Sequence, residues 1–250
     1  LEQSNNFFDA YLTEIINDLD SYTRLTLLGM MFMNNKLAEG ESEPYFRQLK
    51  PFLQKEKNNN YSYIYNLATI RLWGILEALV DDFIIHLLEN EERVKSEEQI
   101  KKINGPLIEF YNMDKNEQSI YLLDCLKQNQ KAGMKTGVGR FESILSCVGH
   151  GGFIDDHVKN AIFEHSQIRN VLVHKNGKAD SRILSNCPWL NLNLGQEVNV
   201  TEEQFNKYRL SISWYILEIM NRANKYQGST IDNTLQELQE KALTSFRTLN

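Results

Sequence analysis

The sequence predicts an all-α fold, a helical bundle, and three observations predict it. Apolar residues recur at helical spacing along most of the chain. Four prolines in 250 residues leave room for long uninterrupted helices. The stretch 61–90 carries two apolar stripes, one of Leu72, Ile75, Leu76, Leu79, Phe83 and Leu87, the other of Ile70, Trp73, Ile84 and Leu88. A helix apolar on both sides is a central one, packed from more than one direction.

The other elements follow in order. Phe8, Tyr11, Leu12, Ile15, Ile16, Leu19 and Tyr22 mark a long first helix that continues through the methionine-rich run 30–33. Gly40 and Pro44 break it, a short helix covers about 45–55, and Lys57-Asn58-Asn59-Asn60 is a polar turn. After the central helix, Ser96 with Gln99 reads as a capping box that opens a short helix, which Asn104-Gly105-Pro106 ends. Asp114 with Glu117 opens another. The polar, glycine-bearing stretch 128–139 is an exposed loop, and 141–148 a short helix stopped by Gly149-His150-Gly151-Gly152.

Asp155 or Asp156 then caps a helix whose buried stripe is Val158, Ala161, Ile162, Ile168 and Leu172, with Gly177 as its stop. Alternation of Leu190, Leu192 and Leu194, then Val198 and Val200, around Gly195 predicts a small β-hairpin near 190–200. Thr201 with Gln204 opens the last strong helix, with its stripe running from Phe205 to Ala223. A weaker amphipathic helix covers 235–246. The reading takes 1–226 as one domain and 227–250 as a tail.

Composition bounds the function. No stretch approaches the roughly 18 apolar residues of a membrane span. Cys125, Cys147 and Cys187 are odd in number and widely spaced, which predicts reduced thiols in a cytoplasmic protein, not a disulfide framework or a zinc site. The net charge of −6 argues against a general polyanion binder. Between Lys127 and Arg182, however, nine basic residues face five acidic ones, a local positive surplus that is either a contact surface or chance clustering.

The chemistry concentrates at the end of the helix that Gly177 stops. Arg169-Asn170, three apolar residues and His174 place a permanent cation, an amide and a titratable imidazole within six residues. Cleaving RNA without a metal requires a base for the ribose 2′-hydroxyl, an acid for the leaving oxygen and cationic stabilisation of the phosphorane. His174 is suited to the proton transfers. Arg169 can hold two phosphate oxygens. Asn170, one helical turn before His174, can bond the substrate or fix the imidazole.

The run Ile168-Arg169-Asn170-Val171-Leu172-Val173-His174-Lys175-Asn176-Gly177 resembles the signature of the HEPN superfamily (higher eukaryote and prokaryote nucleotide-binding): Arg, four to six residues, then His, often with Asn directly after the Arg. The resemblance covers roughly 61–226 and includes the earlier helix with Trp73 and Glu77. It implies a helical bundle, usually dimeric, and for many members a metal-independent endoribonuclease that needs no cofactor. Such enzymes work in toxin–antitoxin or antiviral defence systems, with an antitoxin or defence complex as partner. The products would be a 2′,3′-cyclic phosphate and a 5′-hydroxyl. Asn176 stands where one toxin branch has Tyr, so the chain looks closer to the stand-alone or defence-associated branches. Lys175, Lys178 and Arg182 are then candidate contacts for single-stranded RNA, and Glu77 a supporting carboxylate paired with Arg169. Glu77 at the water-facing edge of its stripe is the other reading.

Geometry sets a condition. On an unbroken helix Arg169 and His174 point about 140° apart. Either the helix unwinds over 171–173, or a dimer axis brings two copies together. Two alternatives stand beside the enzyme: a catalytically silent module that binds RNA or nucleotide, and a helical scaffold whose tail docks a partner. An imidazole at a helix end is commonly a cap, and an Arg beside an apolar stripe a structural ion. Elsewhere, Gly137-Val138-Gly139-Arg140 has no preceding strand and no Gly-Lys-Ser/Thr, so it is no phosphate cradle. His150, His157 and His165 lack zinc spacing. Ser143 and Ser146 lack the glycines of a hydrolase elbow.

Overall fold

A computed structural model describes residues 25–36, 44–226, 228 and 233–248. The predicted first helix over 8–22 lies outside them, but its continuation is present as α1 (25–36). The fold is an all-α helical bundle, as the periodicity predicts, and among the described residues no strand forms. Its elements are α2 (Pro44–Asn58), α3 (Ser62–Asn90), α4 (Glu92–Lys95), α5 (Glu98–Lys101), α6 (Leu107–Asn112), α7 (Lys115–Asn129), α8 (Val138–Leu145), α9 (Asp156–His174), α10 (Ser181–Asn186), α11 (Glu202–Tyr226) and α12 (Asn233–Thr248). Short 3-10 turns stand at Ala132–Met134, Ser146–Val148 and Pro188–Leu190. Among the described residues no helix is long and apolar enough to cross a membrane.

The described residues form two compact units, one within 1–73 and 167–208, the other within 74–166 and 209–250. In the first, Met30 of α1, Leu53 of α2 and Ile64 of α3 share a core with Met33, Leu49 and Tyr61. The turn between α2 and α3 uses Asn60 and Tyr61 with φ of 52° and 59°, and the buried Glu56 carboxylate accepts from the Tyr63 N–H at 2.9 Å, capping α3.

The predicted hairpin does not form. Leu190 ends the 3-10 turn, Asn191 takes a left-handed φ of 50°, and Leu194 is 72% exposed, so the leucines share no buried face. The chain pairs elsewhere. One antiparallel bridge joins Lys178 to Glu197, and Val198 N–H reaches the Gly177 carbonyl at 2.8 Å. One side chain on α3 satisfies two more backbone groups: Asn66 donates to Val198 O at 3.1 Å and accepts from Val200 N–H at 2.9 Å. Polar side chains thus replace a ladder, and Val198 and Val200 are buried.

The capping signals form as the sequence predicts, Asp114–Glu117 in the second unit and Thr201–Gln204 in the first. The box at Ser96 does not. Ser96 closes α4, a one-turn helix around buried Val94, and Glu97 precedes α5 with no side-chain cap. Cys147 and Cys187 are buried, and none of the three cysteines forms a disulfide.

The polar centre of the second unit is Arg222 on α11. Its Nη1 meets both Glu142 oxygens at 2.8 and 3.0 Å and also donates to His150 O at 3.1 Å; Nη2 donates to Phe153 O at 3.1 Å, and Nε to Glu218 at 3.0 Å. Tyr215 donates to Glu142 at 2.7 Å. A Cβ on Gly152 would stand 2.6 Å from Arg222 Nε, and one on Gly151 would collide with Ser146 Oγ. The glycine run read as a helix stop is therefore also a cradle for a guanidinium. The tail helix docks on α11 in this unit: Gln239 donates to Glu218 and accepts from Asn221, at 2.8 and 2.9 Å.

Two predictions follow from this packing. Arg222 and Glu142 side chains are only 8% and 17% exposed. Arg222→Met leaves the carboxylate buried without its cation and should lower unfolding free energy by about 3–5 kcal/mol, whereas adding Glu142→Gln should recover part of it, read from urea midpoints. His150, buried between the rings of Phe83 and Tyr226, is held below its ordinary range by desolvation, against the pull of the Val148 carbonyl, Glu91 and Glu97. Its folded form therefore takes a proton less readily than the unfolded chain, so this stability is whole above about pH 6.5 and is lost as pH falls through it. Asp81, raised by burial, works in the opposite sense but in the lower carboxylate range. Between pH 7.5 and 5.5 the urea midpoint should fall in the native protein and change less in His150→Phe.

Candidate functional site

The helix that carries the candidate residues begins where Asp155 accepts from the N–H groups of His157 and Val158, at 2.9 and 3.4 Å, so Asp155 is the cap of α9. The helix then runs unbroken to His174; no unwinding occurs over 171–173. Its last turn is closed by Lys175 N–H on Val171 O at 3.0 Å, and Gly177 N–H reaches the same carbonyl at 3.2 Å.

Asn176 and Gly177 follow with φ of 51° and 70°, and Lys178 N–H bonds Lys175 O at 3.0 Å. Two successive left-handed residues with an Asn-Gly sequence are the mark of a type I′ turn. The turn reverses the chain, and Asp180 then caps α10 through Ile183 N–H at 3.1 Å. Asn186 donates to Gln167 at 2.9 Å, which ties the end of α10 back to α9.

Within this frame Arg169 and Asn170 are half-buried, and the Arg169 Nη1 donates to Asn170 Oδ1 at 3.4 Å. His174 is exposed, as are Lys175, Lys178 and Arg182. Lys175 stands 3.8 Å from Asp180 Oδ2, a loose pair on an open surface. The spacing therefore does what helical geometry demands: Arg169 and His174 lie about 140° apart in rotation and about 7.5 Å apart along the axis of one helix. One copy of the chain presents the imidazole to solvent and keeps the guanidinium at the edge of its core.

Glu77 belongs to the second unit, at the edge of its stripe, and its Oε1 meets Arg140 Nη2 at 2.9 Å. Arg140, named above only within the glycine-bearing run 137–140, is the cation that Glu77 meets within its own unit. His150 and His165 are buried and His157 is exposed. Among the described residues no group of three His, Cys, Asp or Glu side chains is gathered as metal ligands. Ser143 and Ser146 hydroxyls bond the carbonyls of Arg140 and Glu142 in the turn before.

No family model, curated protein or solved structure matches the chain. The chemistry of the α9 end therefore stands on residue types and geometry alone.

The turn after His174 can be tested directly. A Cβ at Gly177 would meet nothing nearer than Leu172 at 4.0 Å, so the only obstacle to a side chain there is its φ of 70°. Gly177→Ala should cost about 1–2 kcal/mol, and Asn176→Gly should be close to neutral, both read from urea midpoints.

Proposed function

We propose that this chain is a homodimeric, metal-independent endoribonuclease of HEPN type. The observation that carries the reading is an exposed imidazole at the end of an unbroken helix, with Arg169-Asn170 one turn behind it and three exposed cations, Lys175, Lys178 and Arg182, just after it. Lys and Arg at those positions hold a phosphate backbone by charge and leave base identity unread. Single-stranded RNA fits this surface because its 2′-hydroxyl can reach the scissile phosphorus.

In the reaction, His174 takes the proton of the 2′-hydroxyl and the 2′-oxygen attacks phosphorus. Arg169 stabilises the equatorial oxygens, and the 5′-oxygen leaves with a proton drawn from solvent water. The products are a 2′,3′-cyclic phosphate and a 5′-hydroxyl. Since one helix holds Arg169 and His174 on different faces, each site draws Arg169 from one copy and His174 from the other. A toxin with its antitoxin, or a defence complex in the cytoplasm, is the setting that goes with this reading.

The test is incubation with single-stranded RNA in EDTA. His174→Ala should lose activity by about 10²–10⁴-fold with its fold intact. Mixing refolded His174→Ala with Arg169→Ala should restore about a quarter of native activity, since half the dimers pair unlike copies and one of their two sites is whole. A His174→Ala protein that cuts like the native one overturns the proposal. Native protein that binds RNA through Arg169 without cutting it supports the catalytically silent module instead.

A further inference from the structure

The second unit holds a pocket of about 510 Å³, lined by α3, α7, the 3-10 turn Ala132–Met134 and α8. That volume suits a small organic molecule. Its lining divides by chemistry. Phe141 and Ile144, both buried, supply an apolar surface, and Met134, 80% exposed, is a flexible wall beside it. Lys127, Lys131 and Arg140 supply three cations against the two carboxylates Glu77 and Asp81.

The carboxylates stand one turn apart on α3, and each orients a cation. Asp81 Oδ2 holds Lys127 Nζ at 2.7 Å, and Glu77 Oε1 holds Arg140 Nη2 at 2.9 Å. An ammonium has three donors and a guanidinium five, so one bond to a carboxylate leaves most of each group's capacity for a guest. Lys131 is exposed at the rim and completes the surplus of positive charge. Arg140 also lies in the first turn of α8, whose N-cap is Gly137 and brings no side-chain oxygen to that helix end. Burial raises the Asp81 carboxyl even beside Lys127, so this wall is a partly dry one where charge pairing is strong.

We propose that this pocket binds a small organic anion, a carboxylate or phosphate borne on an aromatic or aliphatic body. The anionic group sits against Lys131 and Arg140, and the body lies on Phe141 and Ile144. The proposal stands whether or not the chain cuts RNA.

The test is thermal unfolding of the full chain with phenyl phosphate, benzoate, inorganic phosphate and benzylamine as probes. Phenyl phosphate or benzoate, at about ten times its Kd, should raise Tm by roughly 3–5 °C; which one does so tells phosphate from carboxylate. The shift should vanish in Lys131→Met, an exposed position whose own Tm should match the native protein. It should also vanish in the Glu77→Gln/Arg140→Gln protein, which removes the oriented guanidinium with its partner. An undiminished shift in both variants overturns the proposal, as does a shift with benzylamine and neither anion. Inorganic phosphate matching phenyl phosphate overturns the role given to Phe141 and Ile144.

Discussion

A single buried guanidinium organises the second unit. Arg222 spends its donors on Glu142 of α8, on Glu218 of its own helix and on the carbonyls of His150 and Phe153. Those carbonyls belong to the loop that delivers the chain to Asp155, the cap of α9. The loop can approach the guanidinium this closely because Gly152 carries no Cβ. Burying such a pair adds little net stability over an apolar core, but it penalises any arrangement that separates the partners. Within this unit the start of α9 is thus held by charge pairing at its entry loop as well as by the buried Val158, Ala161 and Ile162.

The first unit solves a different problem. Its segment 195–200 is extended without belonging to a sheet, so its backbone groups need other partners. The Asn66 side chain serves two of them, and the turn after α9 serves others through Ala179 and Gly177. The same contacts hold the Asn176-Gly177 reversal in place. The exposed cations Lys175 and Lys178 therefore lie on a pinned loop and not on a free one, which lowers the ordering cost of any contact they make.

How far the sequence could be read follows from which interactions are local. Helix existence, the two stripes of α3 and the caps at Asp114, Asp155 and Thr201 depend on neighbours within a few residues, and they were legible. The hairpin was not, because alternation of Leu190, Leu192 and Leu194 is silent about which segment supplies the partner strand. The 96–99 box failed because buried Val94 draws the preceding residues into a helix of their own. The pairings of Arg222 with Glu142 and of Arg140 with Glu77 were not legible: the partners lie 80 and 63 positions apart, and no periodicity reports a long-range ion pair. At the candidate site, the exposure of His174 and the partial burial of Arg169 were readable from the helical wheel, since both sit on one regular element.

That regularity also decides how the two groups can share a phosphate. The last turn of α9 is closed twice on the Val171 carbonyl, by Lys175 and by Gly177, and Val171 itself is buried. Unwinding 171–173 to swing His174 toward Arg169 would break those bonds, expose Val171 and release the turn that Val198 binds. Each buried group left unsatisfied costs about 1–3 kcal/mol, so the penalty accumulates before any substrate is bound. A second copy of the chain incurs none of it, because the helix stays whole and the missing group arrives from outside. On the nuclease reading, then, the rigidity of this helix end is what makes assembly a condition of chemistry: a single chain would hold an imidazole without its cation.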